Sequence, residues 1–213
     1  MRRIFIFMII LAASLQGFSQ IKISDFRRLR EGDLLFCVNE EGSAITDVTE
    51  GIANLNIEHV AIFHRKGKGA FVVEAVHEGV QLTPIDSFIA RNSRVNGRLL
   101  VIVGRVKDSC HVDMRASVSR ALSYIGKPYD FYFEPGDSAL YCSELVQTSY
   151  VDKCGKLIFS PIPMSFHDKE GKVTDYWKHY YSNVGKKVPE GAPGSNPGEL
   201  SRRKEIKIIY MCE

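Results

Sequence analysis

Five cysteines and six histidines are the groups in this chain best suited to nucleophilic and acid–base work. One thiol stands in a distinctive place. Cys142 lies in Tyr141-Cys142-Ser143-Glu144-Leu145-Val146, just after the turn Pro135-Gly136-Asp137-Ser138. The pattern predicts a helix over 138–150, with Asp137 or Ser138 as its cap. A thiol near a helix start feels the positive end of the dipole, which favours the nucleophilic thiolate. Backbone N–H groups at the same place can hold an oxyanion. The competing reading is a cysteine that only packs, the commoner fate of a lone cysteine early in a helix.

A base is available in His59, at the head of the apolar run His59-Val60-Ala61-Ile62-Phe63. An imidazole at a strand's first position can face the end of a sheet, where a helix start can meet it. His64 is the competitor at the other end of the run, expected to be more exposed. The base needs an orienting partner to set its tautomer. Glu74 is the candidate, since a carboxylate inside Phe71-Val72-Val73-Glu74-Ala75-Val76 is costly to bury unless paired. A hairpin turn centred near Lys66-Gly67 would make His59 and Glu74 direct cross-strand opposites, on one face and about 5 Å apart at Cβ. The alternative for Glu74 is an edge position pointing to solvent.

Taken in order, Gly32-Asp33-Leu34-Leu35-Phe36, His59-Val60-Ala61-Ile62, Glu74-Ala75, Gly126-Lys127-Pro128-Tyr129-Asp130 and Tyr141-Cys142-Ser143-Glu144-Leu145-Val146 resemble the YiiX/YebB-type cysteine hydrolases. These are the circularly permuted members of the NlpC-like papain-fold group, in which the His strand precedes the Cys helix. The resemblance spans about residues 31–200. It implies a permuted papain-like fold with Cys142 as nucleophile, His59 as base and Glu74 as the orienting third residue. It also implies that Tyr129 and Tyr141 flank the substrate cleft, and that no metal or organic cofactor is needed. Relatives in the broader group cleave amides in cell-wall peptides or act on lipid acyl groups. The expected partner is therefore a peptide or cell-wall fragment, with a lipid as the alternative. A non-catalytic binding module, with Cys142 as mere packing, is the third reading. A deep apolar cleft near residues 129–133 would favour the lipid.

The elements that must position these groups are legible in outline. Apolar runs predict strands at 33–38, 60–64, 71–76, 79–82, 99–106 and 205–212. Helices are expected at 43–53, 84–90, 113–125 and 138–150, with a possible short one in 21–30. Gly67-Lys68-Gly69 marks a hairpin, Gly126-Lys127-Pro128 stops a helix, and 185–198 is a Pro/Gly-rich loop. The class is α+β, a mainly antiparallel sheet with packed helices.

The N-terminus predicts export. Arg2 and Arg3 precede an apolar run over residues 4–13, and Gly17 and Ser19 fit a cleavage site leaving Gln20 first. The run is too short to span a bilayer, which needs about 20 residues. The expected organisation is a signal peptide at 1–19 and one domain at 20–213, periplasmic or secreted, with no stable membrane span after cleavage. The formal charge of +3 is weak and no basic stripe is interleaved with aromatics, so nucleic acid is not an expected partner. No cysteine pair has zinc-site spacing. Cys37 and Cys212 read as small hydrophobes within strands, and Cys110 and Cys154 as surface thiols or a bridge.

Overall fold

The computed structural model describes residues 20–21, 28–92, 94–95 and 98–212. The expected signal segment 1–19 lies outside them, as does most of the expected polar lead at 21–30. The strands are β1 (Gln20–Ile21), β2 (Leu34–Val38), β3 (Ile57–Lys66), β4 (Gly69–Val76), β5 (Gly79–Pro84), β6 (Arg94–Val95), β7 (Arg98–Leu99), β8 (Val101–Val106), β9 (Ile162–Pro163), β10 (Pro193–Gly194) and β11 (Ile206–Cys212). The helices are α1 (Ile85–Arg91), α2 (Met114–Ser123), α3 (Cys142–Ser149), α4 (Asp175–Ser182) and α5 (Pro197–Ser201).

One sheet dominates, in the order β1-β11-β8-β2-β3-β4-β5. Six of its strands pair antiparallel, and the two-residue β1 joins β11 parallel at the edge. Alternation along the strands explains its two buried faces. Leu34, Phe36, Val60, Ile62, Val73, Ala75 and Ile102 pack with Val118 and Ala121 of α2 and Leu145 and Val146 of α3. The intervening Leu35, Cys37, Ala61, Phe63, Val72 and Val103 pack with Ile85 and Phe88 of α1. The result is the expected α+β architecture, with a sheet between helical layers.

Several boundaries differ from the sequence expectation. Residues 43–53 do not form an α-helix: turns at 44–47 lead to a short 3-10 turn at Ile52–Asn54. There Ser43 and Thr46 bond each other's backbone, which offers the chain an alternative to helical bonding. α3 begins at Cys142 rather than at 138, and Tyr141 occupies its cap position with no side-chain capping bond, so neither Asp137 nor Ser138 caps it. The stretch 185–198 is not wholly loop, since β10 pairs with β9 and α5 starts at Pro197, capped by Asn196. α4, absent from the sequence reading, is capped by Thr174, whose hydroxyl accepts from Trp177 N–H. Cys37, Cys110 and Cys154 are free thiols, so Cys110 and Cys154 form no bridge. The side chain of Cys212 lies outside the described residues.

Candidate active site

The β3–β4 hairpin builds the first half of the site. Its turn comprises Gly67 and Lys68, and the recorded pairs run from Lys66↔Gly69 to Ile62↔Val73. That register is shifted by two residues from the one expected, so His59 and Glu74 are not direct opposites. A shift of two keeps side chains on the same face, and the pair becomes a diagonal one. The contact survives: His59 Nε2 lies 2.8 Å from Glu74 Oε2. At the other edge of β3, His59 pairs with Cys37 while Ile57 pairs with Val38, which leaves Glu58 as the extra residue of a bulge. Bulges beside functional sites re-aim neighbouring side chains. The bulge places Glu58 and His59 together on one cavity wall.

Glu74 is fully buried, and its second oxygen takes a hydrogen bond from Arg91 Nη2. Arg91 ends α1, which follows directly on β5, so the meander carries its own guanidinium back to the carboxylate. Burial pushes the Glu74 carboxyl up, but hydrogen bonding and charge from His59, together with the Arg91 bond, outweigh it and hold it below the usual value. His59 is partly buried, with 14% of its side chain exposed. Burial pulls the imidazole down, while its interactions with Cys142 and Glu74 raise it to about 9. The imidazole therefore carries its proton at neutral pH.

Cys142 is the first residue of α3, buried against the sheet. Glu144 lies in the first turn of α3 and is buried. Burial, and secondarily the charge of Asp130, push the Glu144 carboxyl up to about 8. The chain before α3 is held by Leu140, whose N–H donates to Pro128 O at 3.0 Å and whose carbonyl accepts from Asp130 N–H at 3.3 Å. This ladder sets Tyr129 beside Cys142. It is anchored by the β4–β5 turn: Val80 N–H donates to Lys127 O at 2.8 Å, and a Cβ at Gly79, where φ is +105°, would meet that carbonyl at 2.4 Å.

Two cavities meet here. The one on the Cys142 side, about 40 Å³, is walled by apolar groups including Ile45, Phe133, Met164 and Trp177. The one on the His59 side measures about 340 Å³ and carries Phe131, Tyr176 and Tyr180. Tyr129 belongs to both walls, and Tyr141 to the Cys142 side only. The Tyr141 hydroxyl accepts Ser195 N–H at 3.1 Å, so it ties α3 to the segment after β10. His64 is not the exposed group expected. Its Nδ1 sits 2.6 Å from Glu31 Oε1 and only 15% of the side chain is exposed.

The structure thus brings Cys142, His59 and Glu74 together, with Tyr129 and Tyr141 on the walls. Sequence reasoning missed Arg91, Glu58 and the aromatic face of α4. The run Thr174-Asp175-Tyr176-Trp177 carried the signal for the last: a hydroxyl cap, an acidic first turn and closely spaced aromatics.

Comparison with known proteins places these features in a family. A family model described as permuted papain-like amidase enzyme, YaeF/YiiX, C92 family, matches residues 28–210. The uncharacterized protein YiiX of Escherichia coli strain K12 is 30% identical over 125 residues, which span 58% of this chain and 58% of that protein. A crystal structure titled as metalloprotein yiiX from Escherichia coli O157:H7 superposes with a TM-score of 0.65 at 23% identity, covering 84% of this chain and 96% of that one. The last likeness is one of fold.

Proposed function

This chain belongs to the permuted papain-like amidases of the YaeF/YiiX, C92 family, and on that premise we propose that it is an exported cysteine amidase acting through Cys142, His59 and Glu74. The observation that carries the proposal is the imidazole of His59, held at 2.8 Å by the buried Glu74 and close enough to Cys142 for the thiol to raise its pKa. Cys142 Sγ attacks the amide carbonyl, forming a C–S bond and moving the π electrons onto oxygen. Backbone N–H groups at the start of α3 face that oxyanion. His59 gives its proton to the leaving nitrogen as the C–N bond breaks, leaving a thioacyl-enzyme. It then takes a proton from water, whose oxygen displaces the thiolate and releases the acid. Glu74 orients the imidazole and stabilises its charged form, and Arg91 holds Glu74.

The substrate we favour is a cell-wall peptide amide, since residues 1–19 read as an export signal and the mature chain from Gln20 would work outside the cytoplasm. A lipid acyl substrate is the second reading, favoured by the apolar wall of the Cys142 cavity and by the aromatic cleft at residues 129–133. The word metalloprotein in the relative's title does not suit this site. Among the described residues no group of three His, Cys, Asp or Glu side chains is arranged to hold an ion. Glu74 is already committed to His59 and Arg91, and no step is routed through a metal.

The test is to incubate the protein with defined cell-wall peptide fragments and with N-acyl and O-acyl lipids, and to follow both product release and the mass of the Cys142 peptide. An acyl adduct on Cys142 with peptide fragments supports the favoured substrate, and one with lipids alone supports the second. No adduct from either, with no product, overturns the amidase reading. Cys142→Ala should lower turnover by at least about 10⁴-fold.

A further inference from the structure

A third cavity, of about 680 Å³, opens beyond Cys142. It shares Val48, Thr49, Ser165 and Asn196 with the Cys142 cavity. The His59-side cavity shares a different set with it, Ile45, Tyr129, Phe133 and Trp177. No described residue lines both outer cavities, so the nucleophile sits between them.

The third cavity differs in chemistry from the other two. None of its described lining residues is Phe, Tyr or Trp, and most are polar, among them Thr46, Thr49, Asn54, Asn56, Ser165 and Asn196. Its charged groups are largely engaged. Glu50 pairs with Arg202 at 2.9 Å, Glu199 pairs with Arg203, and His167 meets Glu190 at 3.1 Å. Asp168 Oδ1 accepts the N–H groups of Glu170 at 3.0 Å and Lys172 at 2.9 Å. Such a wall suits an uncharged guest rich in hydrogen-bonding groups. An aliphatic chain would strand the polar groups it covers, and a sugar would find no ring to stack on.

Both walls are held firmly. On one, Ala53 and Asn54 stand at φ +53° and +59°, a conformation that side-chain-bearing residues seldom adopt. Strain of this kind persists only where the surroundings enforce it, and it gathers at ligand clamps. α5 enforces it here: Ser201 Oγ accepts Ile52 N–H at 3.0 Å, and a Cβ on Gly198 would meet Glu50 O at 2.9 Å. On the other wall, Met164 and Phe166 turn into the cluster around Trp177, while Pro163 and Ser165 are exposed and line the groove. Met164 N–H donates to Ala192 O and Phe166 N–H to Glu190, both at 2.8 Å. Strand parity sends the Ser165 N–H and carbonyl to the opposite edge, and a strand edge of this kind is where extended peptides add.

We propose that the third cavity binds the main chain of a peptide on the acyl side of the scissile bond, extending at least about two residues beyond the one acylated on Cys142. The assignment to the acyl side rests on the amidase reading, in which the leaving amine lies over His59. Recognition runs through amides rather than side chains, so the groove accepts a peptide and rejects a fatty acyl group. Its volume falls within the roughly 300–1,000 Å³ of sites that enclose a whole drug-sized ligand.

The test compares acetylated mono-, di- and trialanyl amides of one aromatic amine with the decanoyl amide of the same amine, following kcat/KM and the mass of the Cys142 peptide in the full chain. From mono- to trialanyl, kcat/KM should rise at least about tenfold, mostly through KM. N-methylation of the amides between alanyl residues should remove most of that gain. The decanoyl amide should not exceed the monoalanyl one. Pro163→Trp on one wall and Asp47→Trp on the other, each checked for an unaltered melting temperature, should abolish the gain. Equal rates for all three lengths, or a decanoyl amide that outruns the trialanyl one, overturns the proposal. Calorimetric binding of the acetylated alanyl acids to Cys142→Ser separates the groove from the chemistry. Length-dependent binding without any acyl adduct on the wild-type chain would sink the amidase reading and leave the peptide groove. An adduct without length dependence would sink the groove alone, and neither adduct nor binding up to about 10 mM would sink both.

Discussion

Asp33 and Glu74 are both fully buried carboxylates on the central sheet, and an arginine bonds each. Asp33 is closed off. Arg105 approaches it with Nε at 2.6 Å from Oδ1 and Nη2 at 2.7 Å from Oδ2, and the Arg30 N–H adds a third bond at 2.8 Å. Every donor there is either a backbone amide or a guanidinium, which keeps its proton at any ordinary pH. Glu74 keeps one oxygen for Arg91 and gives the other to His59. That single exchange of a permanent cation for a titrating one separates a clamp from a tuning element. The clamp ties the start of β2 to β8. The tuning element sets how firmly an imidazole beside a thiol keeps its proton.

The comparison can be broken by substitution. Glu74→Gln should lower kcat about 10³-fold, the scale of a misoriented base, and should move the alkaline limb of the pH–rate profile below its wild-type position near 9, because a carboxylate that raises His59 is gone. The folded population should persist, as judged by circular dichroism. Asp33→Asn should do the reverse: a loss of about 3 kcal/mol in urea unfolding, as for a broken buried pair, with kcat per folded molecule close to wild type. Arg91→Gln should cost about fivefold in kcat, since Arg91 acts only through Glu74 and is partly exposed. Its alkaline limb should move up rather than down, because a nearby positive charge is removed; a downward shift would show that Arg91 acts by packing alone. The smallest effect is on stability against pH. His59 has its folded value near 9, above the ordinary 6.5, so its contribution is complete below pH 6.5 and fades as pH rises through 9. The melting temperature should fall by a few degrees over that window, and His59→Gln should flatten the slope.

Much of the site could be read from residue order alone, and the failures have physical causes. The face shared by His59 and Glu74 was legible because strand parity survives a register error of two, whereas the register itself depends on which residues make the turn. Gly67 and Lys68 make it, not Lys66 and Gly67. The start of α3 was misplaced because Asp137 and Ser138 look like caps, yet the Leu140–Pro128 and Leu140–Asp130 bonds hold that stretch extended up to Tyr141. Arg91 carried no signal, since a basic residue in a helix's last turn is ordinary surface chemistry. It reaches Glu74 only because α1 folds back from β5 onto β4. The region 43–53 has helical spacing but two hydroxyls that bond locally, and tertiary packing of Ile45 and Val48 into the cluster around Trp177 fits turns better than a helix.

The order of the parts along the chain also has a consequence for how the molecule comes into being. β3, β4, β5 and α1 form a continuous meander, and they hold His59, Glu74 and Arg91. Contacts between such neighbours close short loops and form early, while distant ones wait. Cys142 lies well downstream, beyond β8 and α2. In a chain that emerges N-terminus first, from a ribosome or across a membrane, the base and its carboxylate precede the thiol. The thiol is therefore delivered to a finished partner, and the chain carries no assembled nucleophile during the part of its synthesis when it is least able to protect itself or its neighbours.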